Sequence, residues 1–204
     1  MLVRPRGPNA AEDRKIPVTK ESKHVSDLIR RLDADTSLQG TAAICAAVKK
    51  SLIEVIADGG FQLPEAYLQT SGNGYARRLL HCTDRYAVVV MVWDADQGTP
   101  IHDHDGKWCV ECVYQGTIQV ISYDLIGSPD DELVSFRKEQ EVAAGRGEAG
   151  SLIPPFDYHV IENTHPERAV TIHVYGGEMY GCDVFQPVDG ERYRRERKPL
   201  TYTK

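Results

Sequence analysis

From residue 77 onward the chain is a succession of short strand-forming runs with no helical pattern between them, and this constrains the fold more than any other feature. Arg77 to Cys82 and Tyr86 to Trp93 are dominated by Leu and Val. Trp108 to Tyr114, Thr117 to Tyr123, Leu133 to Phe136, Ser151 to Ile153, Tyr158 to Ile161, Ala169 to Tyr175 and Cys182 to Phe185 follow. Turn residues separate them, among them Asp105-Gly106, Gly116, Gly127-Ser128-Pro129 and Gly145-Arg146-Gly147. Strands that follow one another without crossover helices pair antiparallel, which predicts a sandwich or barrel.

The earlier part of the chain has a different texture. Leu28, Ile29 and Leu32 give Ser26 to Leu32 a short helical pattern. Gly40 precedes a longer helix over Thr41 to Ala57, rich in Ala, Ile and Leu at helical spacing and stopped by Asp58-Gly59-Gly60. Pro64 to Leu68 fits one more helical turn. The expected organisation is a flexible arm over residues 1–20, a helical segment over 21–70 packed on the barrel, the barrel itself over 71–190, and a charged extension over 191–204. Within that extension, Glu191 to Lys198 reads as a solvated charge run.

Composition excludes several function classes. A net charge of −6 argues against nucleic acid as a partner. The longest apolar runs are too short to span a bilayer, so no membrane role is expected. The first residues lack the apolar core of a secretory signal. Five cysteines, an odd number in a mid-sized chain, do not suggest a disulfide framework, and a cytoplasmic location is expected. Nothing implies an obligate protein partner.

The chemistry concentrates first in Pro100-Ile101-His102-Asp103-His104, which holds two of seven histidines. In a strand, residues i and i+2 share a face, so His102 and His104 can aim at one point, as a metal site requires. A third ligand is then needed. His24 and His165 read as solvated, whereas His159 opens a strand in the second half of the β region and is the best third ligand. Cys109-x-x-Cys112 is not a zinc or redox pair, because i and i+3 face opposite ways along a strand. Cys45, Cys82 and Cys112 read as packing. Trp108 could line the site mouth or pack, and Asp157-Tyr158 reads by default as a structural turn before His159, with a role supporting the ligands as the alternative.

The His pair, Gly116, and His159 with Asn163 four residues on resemble the two-part signature of the cupin superfamily, which implies a jelly-roll barrel with a metal in its mouth. Two positions depart from it. The usual glutamate after the His pair is replaced by Trp108 and Cys109, with Glu111 out of place as a ligand. Phe156 stands where a glycine is expected. These departures resemble the thiol dioxygenases, the cysteine dioxygenase family in particular. The resemblance covers about residues 71 to 190. It implies that His102, His104 and His159 hold Fe(II), that Arg77 beside Tyr75 binds the substrate carboxylate, and that Cys182 lies near the substrate. It further implies that Thr171, His173 and Tyr175 form a polar strand orienting substrate and O2, with Cys109 and Tyr175 partners in a thioether.

The resemblance therefore implies oxidation of L-cysteine by O2 to cysteine sulfinic acid. Relatives acting on 3-mercaptopropionate carry glutamine at the Arg77 position, which favours cysteine over that alternative. A second alternative is a non-catalytic cupin that binds a metal or small ligand. Three imidazoles leave open positions on a metal for a substrate that brings its own thiolate charge. The residues themselves leave zinc, nickel and manganese open, and the choice of iron follows from the resemblance.

Overall fold

The structure, a computed structural model, describes residues 20–204 except positions 58, 73, 130 and 156, with side chains from residue 23 onward. Residues 1–19 of the expected arm, the helix stop at Asp58 and the Phe156 position lie outside the described residues; Lys20 already belongs to the first helix.

Two helices precede the strands. Helix α1 spans Lys20–Asp35 and buries Val25, Leu28 and Leu32, spaced three and four apart. It begins earlier than the Ser26 to Leu32 pattern. Helix α2 spans Thr41–Ala57, as its sequence predicts, and buries Cys45, Val48, Leu52 and Ile56. Pro64 to Leu68 contributes a single 3-10 turn, Glu65–Tyr67.

The strands, in chain order, are β1 (Ala76–Cys82), β2 (Ala87–Trp93), β3 (Gln97–Gly98), β4 (Ile101–His102), β5 (Cys109–Gln115), β6 (Thr117–Ile126), β7 (Leu133–Gly145), β8 (Ala149–Leu152), β9 (Tyr158–Asn163), β10 (Ala169–Tyr175), β11 (Gly181–Asp189) and β12 (Arg192–Pro199). They form a five-stranded sheet in the order β1-β2-β10-β5-β8 and a seven-stranded sheet in the order β3-β9-β4-β11-β12-β7-β6, with β9 also pairing β6. The pairings are antiparallel. This is the mainly β, cupin-type double-stranded barrel that the strand pattern and the resemblance imply, with its helices at the N-terminal side of the sequence.

Strands β2 and β10 are buried along their whole length because both faces of the first sheet are covered. Val88, Val90 and Val92, together with Val110, Cys112, Val170, Ile172 and Val174, pack against the two helices. The alternate residues Val89, Met91, Trp93, Cys109, Val113 and Tyr175 pack inside the barrel. Cys109 and Cys112 therefore face opposite ways. Trp108 joins the helix-side core rather than the site mouth, and its indole lies 2.4 Å from where a Cβ on Gly176 would stand.

Two strands exceed their sequence signal. Strand β7 runs well past Phe136, because from Arg137 to Val142 its side chains are exposed and carry no apolar alternation. The charge run at the C-terminal side is β12, paired to β11 and β7, rather than a solvated extension. Its residues are mostly exposed, so an edge-on ladder of backbone hydrogen bonds holds it, aided by Arg197 pairing with Asp105 at 2.7 Å. Beyond it the chain folds back over β1: Thr203 donates its amide to the Arg77 carbonyl at 2.7 Å, and the Arg77 amide donates to the Thr203 hydroxyl at 3.0 Å.

Gly116 makes the turn between β5 and β6 at φ +76, where a Cβ would meet the Arg168 carbonyl at 2.7 Å and the Ala169 Cα at 3.0 Å. Gly116→Ala is expected to cost about 2 kcal/mol or more, against about 1 kcal/mol for Gly190→Ala, since the left-handed penalty is common to both and only the first adds a backbone clash. Gly190 also has positive φ, with open space around it. Urea denaturation of the two variants checks this; equal losses would contradict the packing described.

Candidate metal centre and substrate pocket

Strand β4 ends at His102, so His104 stands in the loop after it rather than on the same strand. The two rings converge nevertheless, with centroids 5.3 Å apart. The loop is held by Asp103, whose carboxylate accepts the Asp105 amide at 3.2 Å and the Asp183 amide at 2.8 Å. His159 on β9 is the direct cross-strand partner of His102. Its ring centroid lies 4.5 Å from that of His102 and 5.0 Å from that of His104. One ring nitrogen from each of the three lies within 4.8 Å of the others, a cluster that could hold a metal ion.

Two of the rings are aimed by a hydrogen bond at Nδ1, and the third faces a carboxylate at longer range. His102 Nδ1 is 3.1 Å from the Pro100 carbonyl. His104 Nδ1 is 3.2 Å from Asp157 Oδ2, and the same oxygen accepts the His104 amide at 3.1 Å. His159 Nδ1 is 3.9 Å from Glu111 Oε1. An acceptor at Nδ1 places the proton there and leaves the Nε2 lone pair free to coordinate. The Nε2 atoms of His102 and His159 approach to 3.1 Å. Burial, reinforced by the neighbouring imidazoles, lowers the pKa of His102 to about 3 and that of His159 well below the usual range, so both rings are neutral, as ligands must be.

A pocket opens on this cluster. Arg77 on β1 reaches it with a buried guanidinium whose three nitrogens lack a hydrogen-bond partner among the described residues. The guanidinium lies over the Tyr202 ring, 4.6 Å from its centroid. Tyr75 stacks on Trp93 at 4.4 Å beside it. Cys182, on β11, is buried in the same wall, and burial pushes its thiol up to about 11. Lys198 and Leu200 also line this pocket.

Thr171, His173 and Tyr175 share the inner face of β10, as their alternation predicts. The Thr171 hydroxyl accepts the Trp93 indole N–H at 2.9 Å and lies 2.7 Å from His173 Nε2. The expected chain of hydrogen bonds does not run on to Tyr175: the His173 and Tyr175 rings are near-parallel, 5.9 Å apart. Cys109 is the cross-strand partner of Tyr175, and its Sγ is 4.0 Å from His173 Nδ1. Burial raises the Cys109 thiol and the Tyr175 phenol well above their usual values, so both are protonated.

The structure thus brings His102, His104, His159, Arg77, Tyr75, Cys182, Cys109, Thr171, His173 and Tyr175 to one end of the barrel. Cys45 and Cys112 pack in the helix-side core, and Cys82 is half-buried with its Sγ 3.6 Å from Glu178. His165 is exposed, while His24 is half-buried rather than solvated, with its Nδ1 shielded. Asn163, fully buried, donates to the Trp93, Asp94 and Glu167 carbonyls and so fixes a turn rather than the site. Two carboxylates stand behind the ligands. Asp157 takes the alternative of its two readings, as the partner of His104, whereas sequence reasoning set Glu111 aside. Glu111, buried and lifted by that burial to about 7, lies 3.5 Å from His173 Nδ1 as well as near His159. The available signal was a charged residue inside an apolar strand run, Val110-Glu111-Cys112-Val113.

Comparison with known proteins agrees with this geometry. The family model described as Cysteine dioxygenase type I matches residues 23–187. Cysteine dioxygenase type 1 of Rattus norvegicus is 23% identical over 120 residues, 58% of each chain. The protein of the same name from Danio rerio is 25% identical over 119 residues, 57% of this chain and 58% of its own. This chain therefore spans a little over half the length of the curated relatives it matches. A solved Klebsiella pneumoniae structure, an uncharacterized conserved protein with a double-stranded beta-helix domain, aligns at 18% identity and a TM-score of 0.44, over 59% of this chain and 91% of that one. With the family model covering most of its length, the chain belongs to the cysteine dioxygenase type I family of the cupin superfamily.

Proposed function

We propose that the chain is an iron-dependent thiol dioxygenase that oxidises a small carboxylate-bearing thiol, L-cysteine foremost, to its sulfinic acid. Arg77 carries this reading. A buried cation with no partner is costly, and the cost is removed when an anion arrives. A guanidinium fork suits a carboxylate, and this one faces the same pocket as the three histidines.

Fe(II) held by His102, His104 and His159 would supply open coordination positions and the electron chemistry that O2 needs and zinc lacks. Arg77 fixes the substrate carboxylate, which leaves the thiol directed to the imidazole cluster. Tyr75, braced by Trp93, narrows the wall beside it. Tyr175, kept protonated by burial, offers an O–H donor next to the His104 ring, 5.9 Å between centroids. Cys109 and Cys182 stay as thiols, so neither competes as a thiolate with the substrate. In the net reaction both oxygen atoms end on sulfur, R–SH + O2 → R–SO2− + H+, and the thiol proton leaves to solvent.

One observation favours 3-mercaptopropionate as a second reading. No Asp or Glu is among the residues lining the pocket, so an ammonium group finds no ion-pair partner there. Cysteine would have to bind through its neutral amine, whereas 3-mercaptopropionate has none to place.

Anaerobic Fe(II) loading followed by O2-uptake measurements with a panel of thiols is expected to show strongest uptake with L-cysteine, yielding cysteine sulfinate. Faster uptake with 3-mercaptopropionate would select the second reading, and no uptake with any thiol would favour a non-catalytic cupin. Arg77→Gln should lower kcat/KM for cysteine by roughly 10- to 150-fold, the worth of a charge-assisted contact, while the slow turnover of cysteamine, which has no carboxylate, falls far less; equal losses for the two would contradict the clamp. The Cys109–Tyr175 juxtaposition further supports a thioether in part of the molecules, with S–H and ring C–H lost to O2 as the S–C bond forms. An intact mass lower by two hydrogens and a linked tryptic peptide after turnover check it, and their absence would contradict it.

A further inference from the structure

Glu111 sits on the inner face of β5, directly across from His173 on β10 on one side and from Gly150 on β8 on the other. It is buried, and among the described residues it pairs with no lysine or arginine. Its Oε2 has no hydrogen-bond partner at standard distance, and neither does His159 Nδ1. An ionisable group in such a place needs donors, and the donors within 4 Å are the Nδ1 positions of two histidines: His173 at 3.5 Å from Oε2 and His159 at 3.9 Å from Oε1.

The proton inventory says which way these contacts point. The Trp93 indole can only donate, so the Thr171 oxygen accepts from it. The single Thr171 proton then has one described neighbour to go to, His173 Nε2 at 2.7 Å. His173 is neutral, so with Nε2 accepting, its own proton is on Nδ1, facing Glu111. The opposite tautomer would turn a lone pair toward a carboxyl oxygen and strand the Thr171 proton. His159 reaches the same arrangement once a metal takes its Nε2 lone pair: its proton is then on Nδ1 and faces the other Glu111 oxygen. A carboxylate has two oxygens, and here each has its own imidazole. Both contacts are longer than the roughly 2.7–3.2 Å of a made N–H···O bond, and a shift of less than about 1 Å closes either.

We propose that Glu111 is a positioning residue that holds His159 and His173 at once, one imidazole per oxygen, and so ties a metal ligand to the strand that carries Tyr175. This rests on the metal-site part of the functional reading. It also gives the ligand set, neutral in itself, a carboxylate just outside it to balance a bound dication.

The test uses the full chain, with Glu111→Gln and Glu111→Leu. Glu111→Gln keeps one acceptor oxygen and can serve one imidazole; Glu111→Leu keeps none. Co(II) titration should show affinity reduced for both, by 10- to 100-fold for Glu111→Leu, the range found when an outer partner of a ligand is removed. Glu111→Leu leaves two buried N–H donors without an acceptor and should lower the melting temperature, so the comparison that separates positioning from mere stability is Glu111→Gln, which keeps the volume and one acceptor and should lose Co(II) affinity out of proportion to any drop in melting temperature. Nitrogen-15 imidazole spectra of the metal-free parent should show His173 protonated at Nδ1, and a mixed tautomer in Glu111→Leu. That parent spectrum needs no variant to fold. Parental Co(II) affinity in Glu111→Leu, or an Nε2-protonated His173 in the parent, overturns the proposal, and a parent that binds no Co(II) overturns it together with the metal reading. Neither readout involves thiol or O2. A parent that binds Co(II) yet takes up no O2 with any thiol removes the oxygenase reading and leaves Glu111 in place.

Discussion

A small barrel that turns polar side chains inward must give each of them a partner, because water does not reach them to do so. That requirement organises the site. Trp93 donates to Thr171, Thr171 meets His173, and His173 faces Glu111. Glu111 also faces His159, Asp157 holds His104, and the Pro100 carbonyl holds His102. Nδ1 of each cluster imidazole faces an oxygen, at hydrogen-bond distance for His102 and His104 and at 3.9 Å for His159, and the Nε2 atoms of His102 and His159 approach one another. The Arg77 guanidinium remains without a partner, stacked on Tyr202 and open to the pocket. A guanidinium with all three nitrogens unpaired beside the imidazole cluster marks where a ligand's charge belongs.

Charge placement separates this site from a cupin centre with a ligating glutamate. The position after the His pair holds Cys109, turned toward Tyr175. Carboxylates are present all the same, one step further out, as Asp157 behind His104 and Glu111 behind His159. On the proposed reading this would leave coordination positions open for a substrate thiolate while anionic groups stand close to a bound ion. A ligating carboxylate would occupy one of those positions.

Much of this was legible in the sequence, and the rest was not for physical reasons. Alternation in Ala169-Val-Thr-Ile-His-Val-Tyr175 places Thr171, His173 and Tyr175 on one face, and the structure keeps them there, because a strand buried on both sides has a strict period of two. Helix α2 was readable to the residue because its apolar stripe is complete. Strand β12 was not: a strand whose side chains are mostly exposed has no hydrophobic period, and its backbone pairing to β11 and β7 leaves no trace in side-chain choice. His104 has left strand β4, so its convergence with His102 depends on Asp103 and Asp157, contacts across the fold that local spacing cannot encode. Tyr202, more than a hundred residues from Arg77 in the chain, covers it for the same reason.

The most direct test of the central claim is an anaerobic crystal structure of the Fe(II)-loaded protein with L-cysteine. The account predicts one metal ion on Nε2 of His102, His104 and His159, with the cysteine sulfur directed to it and the cysteine carboxylate on the Arg77 guanidinium. A metal bound elsewhere, or a carboxylate that leaves Arg77 unpaired, would contradict it.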